Sequence, residues 1–226
     1  STTKTRRSVF FYKLIYNSLE KIKIMLFQDQ NNEPLALKDA ELSYDPLFLS
    51  KQEASRYFSV LRQETNWQQD QIKVFGKVYN QPRLTALYAN NKNSYSYSNI
   101  KMYPSPFTAH LLELKSKIEN RLKLSFTSCL LNLYRDGQDS NGWHADNEKE
   151  LGKNPVIASV SLGGERMFHM KHRTDKSQKL KLNLAHGSLL VMSGSTQHHW
   201  LHQIPKTKKN TKERINLTFR IIKQSS

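Results

Sequence analysis

The chain has 226 residues and a formal net charge of +16 at pH 7. This length is sufficient for one domain with a full hydrophobic core, and a single jelly roll can use all of it. A hydrophobic fraction of 37% and the lack of any run of about 18 apolar residues argue against a membrane-spanning protein. The large positive charge favours a polyanionic partner, most commonly nucleic acid, over a merely soluble basic surface.

A single cysteine, Cys129, precludes an internal disulfide and fits a reducing, intracellular compartment. Its setting in Ser-Cys-Leu-Leu predicts a buried thiol on a strand.

The first residues are basic and aromatic, with no acidic residue before Glu20. We predict an arm over residues 1–28 and one globular domain over residues 29–226. Basic segments that lack acids serve as organelle transit peptides or as nucleic-acid-binding arms. Met25 offers another interpretation, in which translation starts there and the preceding residues are not part of the protein.

Two helices are predicted in the first half of the chain. Ser50 and Glu53 form a capping box that opens the first helix. Ser105-Pro106 is predicted to open the second, since proline suits the first helical position. Apolar residues then recur at helical spacing and predict two buried stripes: Ala54, Tyr57, Phe58 and Leu61 in the first helix, and Leu111, Leu114, Ile118 and Leu122 in the second.

After Phe126 the pattern changes to short strands separated by turn signals such as Gly163-Gly164. The predicted strands cover residues 127–134, 156–162, 166–171, 180–184, 188–192 and 215–222. Helices followed by an all-β half predict an α+β fold, with a double-stranded β-helix (jelly roll) core buttressed by the N-terminal helices.

A metal site is indicated by His144 and Asp146, which stand two residues apart at a predicted strand end. Two imidazoles and one carboxylate on one face bind Fe(II) and leave its other positions open. The second imidazole has three candidates, His198, His199 and His202. Strand alternation places His198 and His202 on one face and His199 on the other.

The run Arg-Ile-Asn-Leu-Thr-Phe-Arg at residues 214–220 has a polar residue at every second position. In a strand these four side chains share one face, with the apolar ones packed behind: Arg214, Asn216, Thr218 and Arg220. Two guanidinium groups beside a metal indicate a small dianion held next to iron. An ordinary salt bridge inside the barrel is the alternative.

Together these motifs resemble the AlkB family of iron- and 2-oxoglutarate-dependent dioxygenases, over about residues 42–222. The stretches that carry the resemblance begin at Asn132 (NLYRD), Trp143 (WHADNE), Ile157 (IASVSL), Ala185 (AHGSLLVM), Trp200 (WLH) and Arg214 (RINLTFR). The family pattern, a histidine two residues before Ile-Pro, selects His202 as the third ligand.

The resemblance implies a cofactor and two co-substrates: Fe(II), with 2-oxoglutarate and O2. In this family 2-oxoglutarate chelates iron through its keto and C1-carboxylate oxygens. Its distal carboxylate would meet Arg214, assisted by Tyr134. The remaining residues of the pocket would be Asn132, Asn216, Thr218 and Arg220.

On the substrate side, Phe75, Gly76 and Lys77 resemble the tip of a hairpin with which duplex-acting relatives probe base pairs. There an exposed aromatic ring fills the gap left by a flipped base. Phe75 as a core residue of a hairpin is the alternative. Tyr95 and Tyr97 resemble an aromatic lid over the flipped base, with a surface tyrosine ladder as the alternative.

Two further features concern the substrate. Asn147 follows Asp146 where close relatives carry a second aspartate, and the acidic residue moves to Glu148, so the preferred lesion is expected to differ. Lys208 and Lys209 lie in a basic loop that resembles a phosphate-gripping loop, with a solvated turn as the alternative.

The expected function is therefore oxidative demethylation of bases such as 1-methyladenine and 3-methylcytosine in DNA, with RNA as a second candidate. The products would be formaldehyde, succinate and CO2, and the protein is expected to be an intracellular monomer without a membrane partner. The alternatives are a hydroxylase of a non-nucleic-acid substrate and a nucleic-acid-binding module with an inactive iron site.

Overall fold

The computed structural model describes residues 35–74, 76–91, 95–97 and 100–223. The predicted arm over residues 1–28 and Phe75 lie outside the described residues. Within the described part of the chain, no helix has both the length and the apolar character needed to cross a bilayer.

Two antiparallel sheets form the jelly roll that the sequence predicts. The six-stranded major sheet has the order β1-β12-β9-β14-β7-β4. Its strands are β1 (Glu41–Asp45), β4 (Leu84–Ala89), β7 (Ser128–Tyr134), β9 (Ile157–Gly163), β12 (Leu189–Ser193) and β14 (Arg214–Arg220). The four-stranded minor sheet has the order β11-β10-β13-β8. Its strands are β8 (Asn141–His144), β10 (Arg166–His172), β11 (Lys179–Leu184) and β13 (Trp200–Ile204).

Two small hairpins and four helical segments complete the described structure. The hairpins pair β2 (Gln71–Val74) with β3 (Lys77–Asn80), and β5 (Tyr95–Tyr97) with β6 (Ile100–Met102). The helical segments are α1 (Lys51–Glu64), α2 (Ala109–Leu122), a 3-10 turn (Lys149–Leu151) and the short α3 (Thr196–His199). The hairpin predicted around Gly76 is thus confirmed, and Gly76 occupies its turn with a φ of +79°.

The capping box of α1 is confirmed. The Ser50 hydroxyl accepts a hydrogen bond from the Glu53 backbone N–H, and the Glu53 carboxylate accepts one from the Ser50 backbone N–H. The start predicted for α2 at Ser105-Pro106 is wrong, because Ser105 is hydrogen-bonded to Leu87 and Ala89 beside the major sheet. Thr108 caps α2 instead, with its hydroxyl accepting from the Leu111 N–H.

The major sheet separates two hydrophobic cores. Its outer face packs against α1 and α2, and the buried residues there include Cys129, Ile215, Leu217 and Phe219. Burial raises the pKa of the Cys129 thiol well above its ordinary value, as expected for an inert thiol. The inner face packs against the minor sheet through a second apolar cluster. Since side chains alternate along β14, its polar residues turn inward, toward the space between the two sheets.

Candidate active site

Three side chains of types that can bind a metal meet at the inner face of the minor sheet. His144 is the last residue of β8, Asp146 follows two residues later, and His202 lies in β13. The pairing of β8 with β13 sets His144 directly opposite His202. One ligand atom from each of the three side chains lies within 4.8 Å of the others.

Both imidazoles of this cluster are held in the neutral form. Burial lowers the pKa of His202 to about 3, aided by His144 and Arg220 and opposed by Asp146. Burial also lowers the pKa of His144. The Nδ1 atom of His144 lies 2.7 Å from the Gly142 carbonyl oxygen and therefore donates its proton to it. The lone pair of His144 consequently lies on Nε2, as a metal ligand requires.

Asp146 is buried and held from two sides. Arg220 donates to its carboxylate at 2.9 Å, and the Asp146 backbone N–H donates to the Gln197 side-chain oxygen at 2.9 Å. Burial alone would raise the pKa of Asp146, but Arg220 and the two imidazoles outweigh it and the pKa is lowered. The carboxylate is therefore ionised and oriented at neutral pH.

The two competing histidines lie outside this cluster. Residues 196–199 form the short α3 rather than a strand, so the alternation predicted for His198 and His202 is wrong. The strand β13 begins only at Trp200, whose backbone is extended. His198 and His199 are exposed to solvent.

Arg214 lines the same cavity as the three side chains of the cluster, at its other end, and is buried. Its Nη2 atom donates to the Ser161 hydroxyl at 2.9 Å, and its guanidinium carbon lies 5.2 Å from the centre of the Tyr134 ring. Burial lowers the pKa of Arg214 to about 10, with Tyr134 opposing, so the group remains charged at neutral pH. Its Nε and Nη1 atoms have no hydrogen-bond partner among the described residues.

The six residues predicted to hold 2-oxoglutarate all line one cavity with the metal-binding cluster. The centre of a water-sized sphere can occupy about 40 Å³ of this cavity. Asn132 accepts a hydrogen bond from Arg83 at 2.8 Å, and Asn216 donates to the Ser159 hydroxyl at 2.8 Å. Arg220 lines the metal end of the cavity, beside Asp146, whereas Arg214 lines the other end.

Several supporting residues were not identified from the sequence. Arg83 orients the Asn132 amide, and Gln197 holds the backbone of Asp146. The guanidinium carbon of Arg166 lies 5.6 Å from the centre of the Tyr134 ring, and Arg166 donates hydrogen bonds to three backbone carbonyls in loops. All three side chains are buried. Polar residues of these types are usually exposed, so their sequence context gave no signal of burial.

The residues predicted to contact the substrate do not line this cavity within the described structure. Gly76 and Lys77 are exposed in the β2-β3 hairpin, and the backbones of Tyr95 and Tyr97 form β5. Asn147 is exposed and Glu148 half-buried directly after Asp146, and Lys208 and Lys209 are exposed in the loop after β13.

Asp39, His172 and His199 form a second group with metal-ligand spacing. The Nδ1 atom of His172 accepts hydrogen bonds from the backbone N–H groups of Thr174 and Asp175, at 3.3 and 3.0 Å. The proton of a neutral imidazole must then lie on Nε2, which is 3.3 Å from the Asp39 carboxylate. That nitrogen donates to Asp39 and is not free to bind a metal. We therefore interpret the contact between His172 and Asp39 as a structural hydrogen bond.

The first cluster has two histidines, one carboxylate and an open cavity, an arrangement typical of non-haem Fe(II) oxygenases. A family model described as the 2OG-Fe(II) oxygenase superfamily matches residues 41–220. Alpha-ketoglutarate-dependent dioxygenase alkB homolog 3 from Bos taurus is 41% identical over 186 residues, which are 78% of this chain and 64% of that protein. DNA oxidative demethylase ALKBH2 from Homo sapiens is 35% identical over 192 residues, 80% of this chain and 73% of that protein.

A solved structure entitled "The structure of OsALKBH1" matches 84% of this chain and 100% of its own, with a TM-score of 0.58 and 15% identity, and supports the fold. The chain belongs to the AlkB family of the 2OG-Fe(II) oxygenase superfamily. It spans 64% of the length of the Bos taurus alkB homolog 3 that it matches.

The cofactor of this family is Fe(II), with 2-oxoglutarate and O2 as co-substrates, and the cavity fits these groups. The neutral imidazoles and the ionised carboxylate are the donor types that Fe(II) accepts. The unsatisfied Nε and Nη1 atoms of Arg214 call for a buried anion, since leaving buried guanidinium donors unpaired is costly.

Proposed function

We propose that this chain is a DNA oxidative demethylase that removes methyl groups from bases of the 1-methyladenine and 3-methylcytosine type. The observation that carries the proposal is one cavity with a His-Asp-His cluster at one end and the unsatisfied guanidinium of Arg214 at the other. The names of the relatives supply the substrate class, because one of them is a DNA oxidative demethylase. The catalytic domain is proposed to cover residues 29–226.

In this proposal, His144, Asp146 and His202 hold the iron. Bound Fe(II), with 2-oxoglutarate and O2, supplies oxidation of the methyl carbon, giving succinate and CO2, and the hydroxymethyl group then leaves as formaldehyde. Arg220 and Gln197 keep the Asp146 carboxylate ionised and aimed at the cluster. The neutral state of both imidazoles removes the need to displace a proton on metal binding.

The distal carboxylate of 2-oxoglutarate is proposed to bind Arg214. The guanidinium supplies two parallel N–H donors, and Tyr134 stacks close enough to limit its movement. Asn132, Asn216 and Thr218 line the same cavity with polar groups. Arg83 donates a hydrogen bond to the side-chain oxygen of Asn132. With its oxygen bound to Arg83, the Asn132 amide has its N–H donors available for an anion.

The base and its flanking phosphates are proposed to contact residues outside the cavity: Phe75, Gly76, Lys77, Tyr95, Tyr97, Asn147, Glu148, Lys208 and Lys209. The exposed positions of Gly76 and Lys77 on a hairpin support the role of a probe. The positive net charge supports nucleic acid as the partner. We propose further that the protein acts as an intracellular monomer.

The test is to incubate the purified full chain with oligonucleotides that carry one 1-methyladenine or 3-methylcytosine, single-stranded and duplex. Fe(II), 2-oxoglutarate and ascorbate are included, and the products are weighed by mass spectrometry. Loss of one methyl group with stoichiometric formaldehyde is expected, and the Asp146→Ala variant should give none. Succinate formation without demethylation of any oligonucleotide would instead indicate a different substrate. Oligonucleotide binding with no succinate from any substrate would indicate an inactive binding module.

A further inference from the structure

The outward side of the minor sheet is accessible to solvent along three of its strands, and α1 and the loop of residues 205–212 border it. Along β10, β11 and β13 buried and solvent-accessible residues alternate, and the accessible ones share this face. They include Met167, His169 and Lys171 in β10, Lys179, Lys181 and Asn183 in β11, and Leu201 and Gln203 in β13. Trp143 of β8 adds a ring that is 40% exposed. We refer to this set as the outer face.

Positive charges are concentrated on the outer face, where Glu165, hydrogen-bonded to Asn183, is a neighbouring carboxylate. The strand register sets Lys171 directly opposite Lys179, and His169 directly opposite Lys181. Like charges in directly opposed positions destabilise a sheet, which applies to Lys171 and Lys179, whereas burial and Lys181 lower the pKa of His169 and keep it neutral. None of the three lysines forms an ion pair within the described part of the chain. A bound polyanion would relieve the repulsion between these lysines, of which Lys171 is already stabilised in part by the Trp143 ring.

An exposed aromatic ring lies among these charges. The ammonium nitrogen of Lys171 is 4.2 Å from the centre of the Trp143 ring. A nucleotide whose phosphate draws the ammonium group away from the ring could place its base on the indole face thus freed, since stacking platforms in single-strand-binding proteins combine an aromatic ring with a neighbouring cation. Trp200 is fully buried, so Trp143 differs from it in being accessible for stacking.

A wide groove continues from the same face. Met167, His169 and Asn183 form part of its floor, and the loop of residues 205–212 forms one wall. The centre of a water-sized sphere can occupy about 1000 Å³ of this groove. Its cationic lining residues are Arg166, Lys206, Lys209 and Lys212, and Glu165 is the one carboxylate among the described residues that line it. The groove and the outer face thus form one basic surface from this loop toward Trp143.

This surface lies directly behind the candidate iron site. Trp143 precedes His144, and Leu201 and Gln203 flank His202, with their side chains on opposite faces of the same strands. Because β8 is an edge strand, a chain leaving the cavity has to pass only one strand to reach the outer face.

We infer that the outer face and its groove bind a single-stranded segment of nucleic acid next to the nucleotide being oxidised. The inference rests on the proposed function. A single strand fits better than a duplex, because only an unpaired base can leave its neighbours and stack on Trp143. Lysines on the edge strand β11 would by themselves also discourage sheet aggregation. That role does not account for an exposed tryptophan on the opposite edge.

The inference is tested on the full chain with a fluorescent, undamaged oligothymidine of about 15 nucleotides, within the range of known single-strand sites. Binding is followed by anisotropy at several salt concentrations. In Lys171→Gln/Lys179→Gln/Lys181→Gln the affinity should fall about tenfold or more. The slope of log K against log salt should shrink by about 2, since each of three phosphate contacts contributes about 0.7. Lys51→Gln/Lys123→Gln/Lys153→Gln removes the same charge from three exposed lysines that are not part of the outer face, and is the matched control.

Trp143 is tested separately. Trp143→Ala should weaken oligothymidine binding about fivefold or more, and Trp143→Phe should restore most of it, because base stacking requires only an aromatic ring. Thermal melts check that each variant is folded. If both the triple variant and Trp143→Ala bind as the control triple variant does, the inference is wrong.

A length comparison separates this inference from the proposed function. The wild-type KM for a methylated strand of about 15 nucleotides should be well below that for a methylated trinucleotide, which is too short to span the outer face. In the lysine triple variant the two KM values should converge. If the lysine triple variant demethylates both substrates and the ratio of the two KM values is unchanged, binding to the outer face is refuted and the proposed function is not. A lack of demethylation by the wild type would refute the proposed function, while the oligothymidine binding would still test the face.

Discussion

The side chains of His202 and Arg214 are both buried, yet each keeps polar atoms without a described partner. Burial has opposite consequences for their chemistry. It keeps the imidazole of His202 neutral and ready to bind a cation, whereas Arg214 remains ionised and requires an anion. A cavity with these two properties at its ends can hold a metal and a dicarboxylate together. Neither property depends on the identity of the proposed nucleic-acid substrate.

The proposed third ligand can be separated from its neighbours by substitution. His202→Ala should abolish 2-oxoglutarate-dependent succinate formation, because an incomplete cluster holds iron poorly. His199→Ala, which alters an exposed histidine three residues earlier, should retain most of the activity. Succinate is measured in parallel with Co(II) binding by absorption spectroscopy. Normal turnover by the His202 variant would show that another imidazole serves as the ligand.

The proposed role of Arg214 is tested by keeping its charge and removing its planar fork. Arg214→Lys should raise the KM for 2-oxoglutarate about tenfold or more, since lysine cannot form the two parallel hydrogen bonds. Arg62→Lys is the matched control, because Arg62 makes a similar two-pronged contact with Glu213 at the surface, at 2.8 and 3.0 Å. An equal rise in both variants would contradict a specific role for Arg214.

The helix α1 supports the site indirectly. It packs against the apolar side chains of β14, and the polar side chains of the same strand line the cavity on the opposite side of the major sheet. Its start is specified locally by the capping box of Ser50 and Glu53. Lys117 of α2 also binds the Glu53 carboxylate at 2.9 Å, which ties the two helices together. The stability of this layer should therefore respond to changes at the cap.

Ser50→Ala should lower the free energy of unfolding by about 1 kcal/mol, since the Glu53 backbone N–H loses its acceptor. Ser59→Ala, at an exposed position inside the same helix, should have little effect or be slightly stabilising. Both are measured by urea denaturation at pH 7. Equal effects at the two positions would show that the cap does not contribute specifically.

The charge of Glu53 gives this layer a pH dependence. Hydrogen bonds from Lys117 and Ser50 lower the pKa of Glu53 from 4.5 to about 2. A lowered carboxyl pKa stabilises the fold above the ordinary value and loses that contribution as the pH falls toward the lowered one. The stability difference between wild type and Glu53→Gln should be small, because the group is at the surface. It should be present at pH 7 and shrink between pH 4.5 and 2 in denaturation curves, and a constant difference would contradict the ionic contribution.

The jelly roll joins the two ends of the cavity through different sheets. The metal-binding cluster depends on β8 and β13 of the minor sheet, whereas Arg214 belongs to β14 of the major sheet. Ligands that bridge the two sheets should therefore stabilise the domain as a unit, since they bind the folded state and not the unfolded chain.

Mn(II) and 2-oxoglutarate, each at about 100 times its Kd, should each contribute about 2.7 kcal/mol and together raise the melting temperature by roughly 10–20 °C for a domain of this size. Arg214→Lys should keep the increment from metal alone and lose most of the increment from 2-oxoglutarate. Differential scanning fluorimetry with each ligand alone and both together is the measurement. No shift in the wild type with either ligand would contradict the assignment of this cavity.

Features with a local cause could be predicted from the sequence. The capping box of α1 depends on residues three apart, and the inward polar face of β14 follows from the period of two along a strand. Local signals also misled. Pro106 suits a helix start, but the preceding Ser105 is hydrogen-bonded at the edge of the major sheet, so Thr108 caps α2 instead. Resemblance to a family, rather than strand periodicity, selected His202 over His198.

Other features depend on strands that are distant in sequence. The pairing of Asp146 with Arg220, and of Arg83 with Asn132, joins residues 74 and 49 positions apart. Such contacts follow from the order of strands in the two sheets, which no short pattern encodes. The same is true of the outer face. Trp143 and Lys171 meet there because β13 pairs with both β8 and β10 and so brings these two strands into one sheet. The sequence alone determined which residues could carry the chemistry, and the tertiary structure decided which of them are buried, paired and close together.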